Sequence, residues 1–453
     1  MRAFLCCCAI SWAVIGIAPF ALSNVVETFI LPMEPVPVWC SDFMDDGREV
    51  GPEGDIWLIL PMPERLMRIS GDQIQCVFDS GIMVNGGPPL TFSPDGPLWI
   101  GNFKYVYSPE QGLHESGLEI PPTYSGPGAS TGVWRPMIDM NCRMFLCGGS
   151  SSWDYHSSCV WEVRSGESPL KLFEAQDLQF PFLVSADEFC AYIPNHWGGQ
   201  ESEIDLDASV VKGEYGDFRI RMDAEDSEGL MWFAGYTGIS TFDHGDFSRY
   251  CEPGDGVSFQ WPLVLTADWT VWVGTATAGA LRIRGAQGEE QRFFTTEEGL
   301  LTNRCRYPKI DYDGRVWFFN ANDEGIIGLS RITDGGWPPM RLMLHRLETP
   351  EGIAVEAQVI NNGPVVGVDV YVALELNGQL LFWPNWQPER CPVQVNLRPG
   401  HNQTAVIISA PGSSIPPGSY TFYGCMTGRN TQKLIGPLDR KLETLRIDVN
   451  EGD

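Results

Sequence analysis

Asp311-Tyr312-Asp313-Gly314-Arg315-Val316-Trp317-Phe318-Phe319 decides how the other residues of this 453-residue chain are read. Asp and Gly tolerate left-handed backbone angles, so Asp-x-Asp-Gly makes a tight turn. The apolar run behind it, carrying Val and three aromatic residues, reads as a short buried strand. The same succession of turn and aromatic strand occurs upstream as Asp268-Trp269-Thr270-Val271-Trp272-Val273-Gly274 and Glu228-Gly229-Leu230-Met231-Trp232-Phe233-Ala234-Gly235. It occurs twice more, as Asp95-Gly96-Pro97-Leu98-Trp99-Ile100-Gly101 and Gly54-Asp55-Ile56-Trp57-Leu58-Ile59.

Trp therefore recurs at 57, 99, 232, 272 and 317, with steps of 42, 40 and 45 between near neighbours. The interval from 99 to 232 has room for two degenerate copies. The stretch from Asp139 to Gly148 supplies one, with Phe145 in the Trp slot; that from Ala186 to Ile193 supplies the other, with Tyr192. Seven units of about 40–50 residues, each with one aromatic strand, point to propeller blades. Between Trp272 and Trp317 the strands are 271–275, 281–284, 291–295 and 306–310, the four strands of a blade. The large flat Trp is expected in the wedge between adjacent blades. Val25-Val26-Glu27-Thr28-Phe29-Ile30-Leu31 is expected to supply the outer strand that completes the last unit and closes the ring; the alternative is a leader into the first.

Composition agrees with this reading. Gly (49), Pro (34) and Trp (16) are plentiful while charged residues are only 19%, which suits short strands and tight turns and excludes helical bundles and disorder. Thirty basic residues against 58 acidic ones leave a net charge of −28. Nucleic acid is excluded as a partner, because binding it requires a basic footprint that displaces counterions. A cationic partner or Ca²⁺ is compatible with the field, as is a role in solubility.

Residues 1–23 read as a signal peptide: Arg2, an uncharged apolar stretch to Ile17, then Ala21-Leu22-Ser23 before a cleavage point at Asn24. An uncleaved anchor is the alternative. No later stretch is long and apolar enough to span a bilayer, so the mature chain is expected to be secreted or periplasmic. Ten cysteines follow residue 23. Cys391 and Cys425 stand alone in the C-terminal region and are the disulfide candidate; the alternative is that the cysteines are small buried hydrophobes.

The repeat stops near Arg341. Period-two alternation over 354–359, a long strand over 368–376 and the Asn377-Gly378 turn answered by 379–383 make a hairpin. Strands over 393–397, 404–409, 418–423 and 442–449 bring the count to seven, which suits an immunoglobulin-like β-sandwich.

Residues with chemistry are sparse. Successive units carry His114, His156, His196 and His244, one each, and ring geometry could gather them on one face as a catalytic set; isolated surface histidines are the alternative. No H-x-x-x-H, H-E-x-x-H or C-x-x-C pair occurs, and no G-x-S-x-G, Walker or dinucleotide pattern, so neither a metal nor a cofactor is expected. Asp311-Tyr312-Asp313-Gly314 begins like a calcium loop, but position 12 is Asn322 where a Glu is needed. Glu201, Glu203, Asp205 and Asp207 read as a solvated acidic strand or loop; held on one edge, they could bind a cation. Trp383 and Trp386 flank Pro384-Asn385; exposed, they would stack on sugars, and buried, they are core. Asn402-Gln403-Thr404 is a glycosylation sequon.

Phe294-Thr295-Thr296-Glu297-Glu298-Gly299-Leu300-Leu301-Thr302-Asn303, followed by 311–318, resembles the two-component-regulator propeller repeat of exported bacterial sensor domains. The resemblance covers roughly residues 40–335 and is strongest in the last copies. Pro416-Pro417-Gly418-Ser419-Tyr420 resembles the lead into a late strand of bacterial sandwich modules. The expectation is therefore an all-β chain: a seven-bladed β-propeller over 24–337 and an immunoglobulin-like β-sandwich over 341–450. The expected role is that of a non-enzymatic binding protein, with a protein or glycan partner on a propeller face. The alternatives are a lyase or hydrolase acting on a polysaccharide through channel histidines and carboxylates, and a surface-assembly protein.

Overall fold

The computed structural model describes residues 25–449 except for internal stretches, the longest being 31–47, 80–89 and 120–129, with several shorter ones between 177 and 220. Among the described residues every named element is a strand except one 3₁₀ turn, Thr296–Glu298. Seven four-stranded antiparallel sheets come first. Six are meanders of consecutive strands. The seventh takes Cys305–Ile310, Val316–Ala321 and Ile326–Thr333 and is completed by Val25–Ile30 from the other end of the chain, with Val25 opposite Thr333 and Ile30 opposite Gly328. The expected closing strand is thus in place.

The repeated aromatic residue sits on the second strand of every sheet, Phe145 on Met144–Ser152 and Tyr192 on Cys190–Pro194 included. Each described Trp of the set packs onto the next sheet. Trp57 meets Phe92 and Tyr107 of the second sheet, with ring centroids 6.0 and 5.3 Å apart. Trp99 joins Ile138 and Leu146 of the third. Trp232 shares a core with Phe259, Leu263 and Val273 of the sixth, and Trp272 lies against Phe318 of the seventh. Trp317 of the seventh packs with Ile56, Leu58 and Met67 of the first, so the series returns to its start. Arg331 ties the same junction: it donates to Glu27 on the closing strand and to Gly71 O and Asp72 of the first sheet, 2.8 and 2.7 Å away, while lying over Trp317.

A single turn geometry precedes five of these strands. With Gly51, Ser93, Asp226, Thr266 and Asp311 as position i, each N–H bonds the carbonyl of residue i+4, and the N–H of residue i+3 returns to the carbonyl of i. Residue i+3 has positive φ in all five: Gly54, Gly96, Gly229, Trp269 and Gly314. Residue i+6 is the Trp. Where i is Asp, its carboxylate caps the turn and reaches the indole: Asp311 Oδ1 accepts from the Asp313 and Arg315 amides, and Oδ2 accepts from Trp317 Nε1 at 2.9 Å. Asp226 treats Glu228, Leu230 and Trp232 in the same way. Gly51 in that position leaves room for Trp57, whose Nε1 would lie 2.7 Å from an added Cβ.

The C-terminal residues form two further sheets. Met340–Thr349, Gly352–Asn361 and His401–Pro411 make one. Val366–Leu376 and Gly418–Gly428 centre the other, flanked by Gln379–Phe382, Val393–Leu397, Leu434–Ile435 and Glu443–Val449. Leu342, Val355 and Ile407 of the first meet Val370, Phe422 and Ile447 of the second in one core. Met340–Thr349 lies outside the seven expected strands; its buried Met340, Leu342 and Leu344 alternate along the strand. Cys391 and Cys425 are not joined as a disulfide. Val393–Leu397, which follows Cys391, and Gly418–Gly428, which carries Cys425, flank opposite edges of Val366–Leu376, so the two cysteines do not come from neighbouring strands.

Candidate functional site

The five turns do more than hold Trp. Because they occupy the same place in each sheet they lie on one face of the array, and the C-terminal sheets dock there. Pro52 O and Pro94 O rest on the backbones of Gly428 and Gly367, where an added Cβ would come within 1.7 and 1.8 Å. At the fifth sheet Ser227 N donates to Asn362 Oδ1 at 2.7 Å, and Asn362 Nδ2 donates to Thr266 O of the sixth at 2.8 Å. Ala267 N bonds Pro338 O, and Gly436 N bonds Tyr312 O of the seventh, both at 2.9 Å. Tyr312 itself belongs to the C-terminal core.

Charge concentrates where the first and seventh sheets meet this docked part. Asp313 accepts from Lys433 Nζ at 3.0 Å, from Lys441 Nζ, and from Arg315 Nη2 at 2.9 Å. Burial pushes the Asp313 carboxyl up, but Lys441, Lys433 and Arg315 outweigh it and hold the carboxyl below its ordinary value. Across a gap, Arg68 pairs with both Asp55 and Glu53. Between these groups lies a cleft of about 440 Å³, lined also by Ser70, Gly71, Asn430, Thr431 and Gln432.

A second buried polar patch lies at the turn of the fifth sheet. Glu225 is 6% exposed, its Oε2 has no hydrogen-bond partner, and its Oε1 would stand 2.7 Å from a Cβ on Gly400. Burial, then the neighbouring Asp226, pushes its carboxyl up to about 7. His401, beside Gly400, is also buried; burial and Arg398 push it down to about 4.

The second strand of each sheet runs away from the docked face, so the connections between second and third strands lie at the far end. They include Phe103, Thr277 and Asn322 with Asp323. The connection after Phe294 lies there too. Its 3₁₀ turn is fixed by a capping box, in which Thr295 Oγ1 accepts from Glu297 N and Glu298 Oε2 accepts from Thr295 N, while Asn303 Oδ1 accepts from Thr296 N. The Phe294–Asn303 motif therefore builds the far face.

The histidines expected to converge are placed as follows. His114 is on Gly112–Glu115, the outermost strand of the second sheet, half-buried, with Nδ1 3.2 Å from Gly112 O. That strand is the last in its sheet's order and pairs only with Tyr105–Ser108. His156 is on Tyr155–Val163, the third strand of its sheet, opposite Ser151. His196 and His244 lie outside the described residues. Among the described residues no three His, Cys, Asp or Glu stand together as metal ligands. Trp383 and Trp386 are half-buried and pack against the C-terminal core. Apart from Asp311 and Asp313, weighed above as a calcium-like turn, the groups of the cleft and the Glu225 patch were not singled out from sequence, because the docking that gathers them joins residues more than a hundred positions apart.

No protein-family model matches the chain, and no curated protein matches its sequence. Solved structures similar to it include the extracellular domain of a hybrid two-component system protein from B. thetaiotaomicron, at 13% identity and TM-score 0.31, over 89% of this chain and 67% of that one. A catalytically inactive virginiamycin B lyase from Staphylococcus aureus with quinupristin matches at 12% identity and TM-score 0.45, over 68% and 99%. YCF48 bound to a D1 peptide matches at 12% and 0.43, over 69% and 96%. Among the described residues no helix is long and apolar enough to cross a membrane.

Proposed function

We propose that the chain is an exported, non-enzymatic binding protein. In this reading residues 24–337 form a seven-bladed β-propeller, and residues 341–450 an immunoglobulin-like sandwich that seals one of its faces. The opposite face, with the Phe294–Asn303 connection and the Asn322–Asp323 turn, receives a protein or glycan partner. The observation that carries the reading is the docking of the C-terminal sheets on five equivalent turns. Docking of this kind holds the ring rigid and consumes one face, so recognition falls to the loops of the other. His114 on an outermost strand supports binding over acid–base chemistry in a channel.

The test is retention of the full-length protein on a panel of polysaccharides and cell-envelope extracts, with products assayed in parallel. Retention without product, lost in a Glu297→Arg/Asp323→Arg variant and kept in a Gln75→Arg variant on an outer strand, is the expected result. Release of product would replace this reading with the lyase or hydrolase. Retention unaffected by the far-face substitutions would move the site elsewhere.

A further inference from the structure

The cleft at the junction of the first sheet, the seventh sheet and the C-terminal part has unlike ends. At one end three cations, Arg315, Lys433 and Lys441, meet two carboxylates, Asp311 and Asp313, leaving one positive charge in excess. At the other, among the described residues, Glu53 and Asp55 share the one cation Arg68, leaving one negative charge in excess. The excess charges are within reach of solvent: the Lys433 side chain is 35% exposed and that of Glu53 58%. Asp55 and Asp313, by contrast, are buried and held by their partners. Here about 440 Å³ separates the ends, within the roughly 300–1,000 Å³ of small-molecule sites.

We propose that this cleft binds a small zwitterion of the amino-acid class, a free α-amino acid or a dipeptide, with its carboxylate at Lys433 and its ammonium at Glu53. Each end then offers a charge of the sign opposite to the group it receives, and a charge-assisted hydrogen bond is about twice as strong as a neutral one. Asn430, Thr431, Gln432 and Ser70 supply hydrogen-bonding groups along the walls. Gly54 and Gly71 line the cleft as well, and both have positive φ in their turns. A ligand here touches the sheets on both sides of the ring closure and the docked C-terminal part together, so occupancy stabilises all three against separation.

The experiment is a thermal-shift screen of the full-length protein against the common L-amino acids, Gly-Gly and Ala-Ala, followed by calorimetric titration of the best probe. The expected result is a rise in melting temperature with at least one probe. N-acetylation or C-terminal amidation of that probe should each weaken binding at least tenfold. Glu53→Gln and Lys433→Gln should each do the same, while their ligand-free melting temperatures stay within a few degrees of wild type. If Lys433→Gln does not fold, Glu53→Gln and the two capped probes carry the test. No shift with any probe, or binding indifferent to capping, overturns the proposal. Neither result bears on partner retention at the far face, which is read with polymers and with different variants.

Discussion

Replacing Gly428 by Ala tests the docking on which the functional reading rests. The new Cβ would lie 1.7 Å from Pro52 O, and a Cβ essentially never approaches another heavy atom closer than 3.0 Å. The two parts must therefore separate by more than 1 Å at that point, because the opposing atom is a backbone carbonyl in a hydrogen-bonded turn and cannot swing aside. A gap of 0.5–1 Å already forfeits roughly a quarter to a half of the dispersion energy of the contacts it opens, and overpacking of this kind costs about 1–3 kcal/mol. We expect the upper end of that range for Gly428→Ala, and the same for Gly367→Ala against Pro94 O at 1.8 Å. The double variant is the sharper test. Both substitutions lift the same rigid body, so the second should cost little once the first has loosened it. The pair should then fall short of additivity by roughly 2 kcal/mol, against the ~0.5 kcal/mol scatter of independent sites. Scanning calorimetry should show one transition for the wild type and two for the variants, as ring and sandwich melt separately. Costs below 0.5 kcal/mol, or full additivity with a single transition, would refute the reasoning.

Two further outcomes follow from buried carboxylates. Asp311→Asn keeps Oδ1 on its two backbone amides but turns an NH₂ toward Trp317 Nε1 and Arg315 Nε. Leaving these donors unsatisfied should cost about 3 kcal/mol, read as a lower urea midpoint by Trp fluorescence; an unmoved midpoint would show that the cap is dispensable. Glu225 has its carboxyl raised by burial and Asp226 from 4.5 to about 7. Its stabilising contribution is therefore full below pH 4.5 and is lost as pH rises to about 7. Relative to wild type, Glu225→Gln should gain roughly 3 kcal/mol across that window, and a difference that does not change with pH would refute the shift. His401, lowered from 6.5 to about 4, works with the opposite sign, stabilising above pH 6.5 and losing that contribution toward pH 4. It is present in both proteins and drops out of the comparison.

Much of the ring was legible because its signal is local and repeated. A turn residue, a positive-φ residue three positions on and an aromatic residue three further recur at near-constant spacing, and even the degenerate third copy keeps Cys142 at positive φ before Phe145. The closing strand was legible for the same reason: Val25–Ile30 is a β-rich run without neighbours of its own, and the last unit lacked an outer strand. The disulfide expectation failed because isolation in sequence says nothing about which edge of a sheet each cysteine occupies. The Trp383 and Trp386 alternatives turn on what covers the rings; both are half-buried against the C-terminal core, and the sequence holds no signal for that contact.

By itself, then, the sequence determined the strand repeat, the tight turns and the packing of each Trp on its neighbour, because these depend on residues a few positions apart and on a period. Only the tertiary structure decided what the turns face. Pro52, Pro94, Ser227, Thr266 and Tyr312 are ordinary loop residues until the C-terminal sheets reach them, and Gly367, Gly428 and Asn362 show no pattern that foretells the contact. Docking depends on complementary shape, with Pro52 against Gly428 376 positions on, and on hydrogen bonds such as Ser227 N to Asn362 Oδ1, and no local periodicity records that. The same docking adds Lys433 and Lys441 to charges of the first and seventh sheets, so that among the described residues four cations and four carboxylates meet at one cleft in a chain whose net charge is −28.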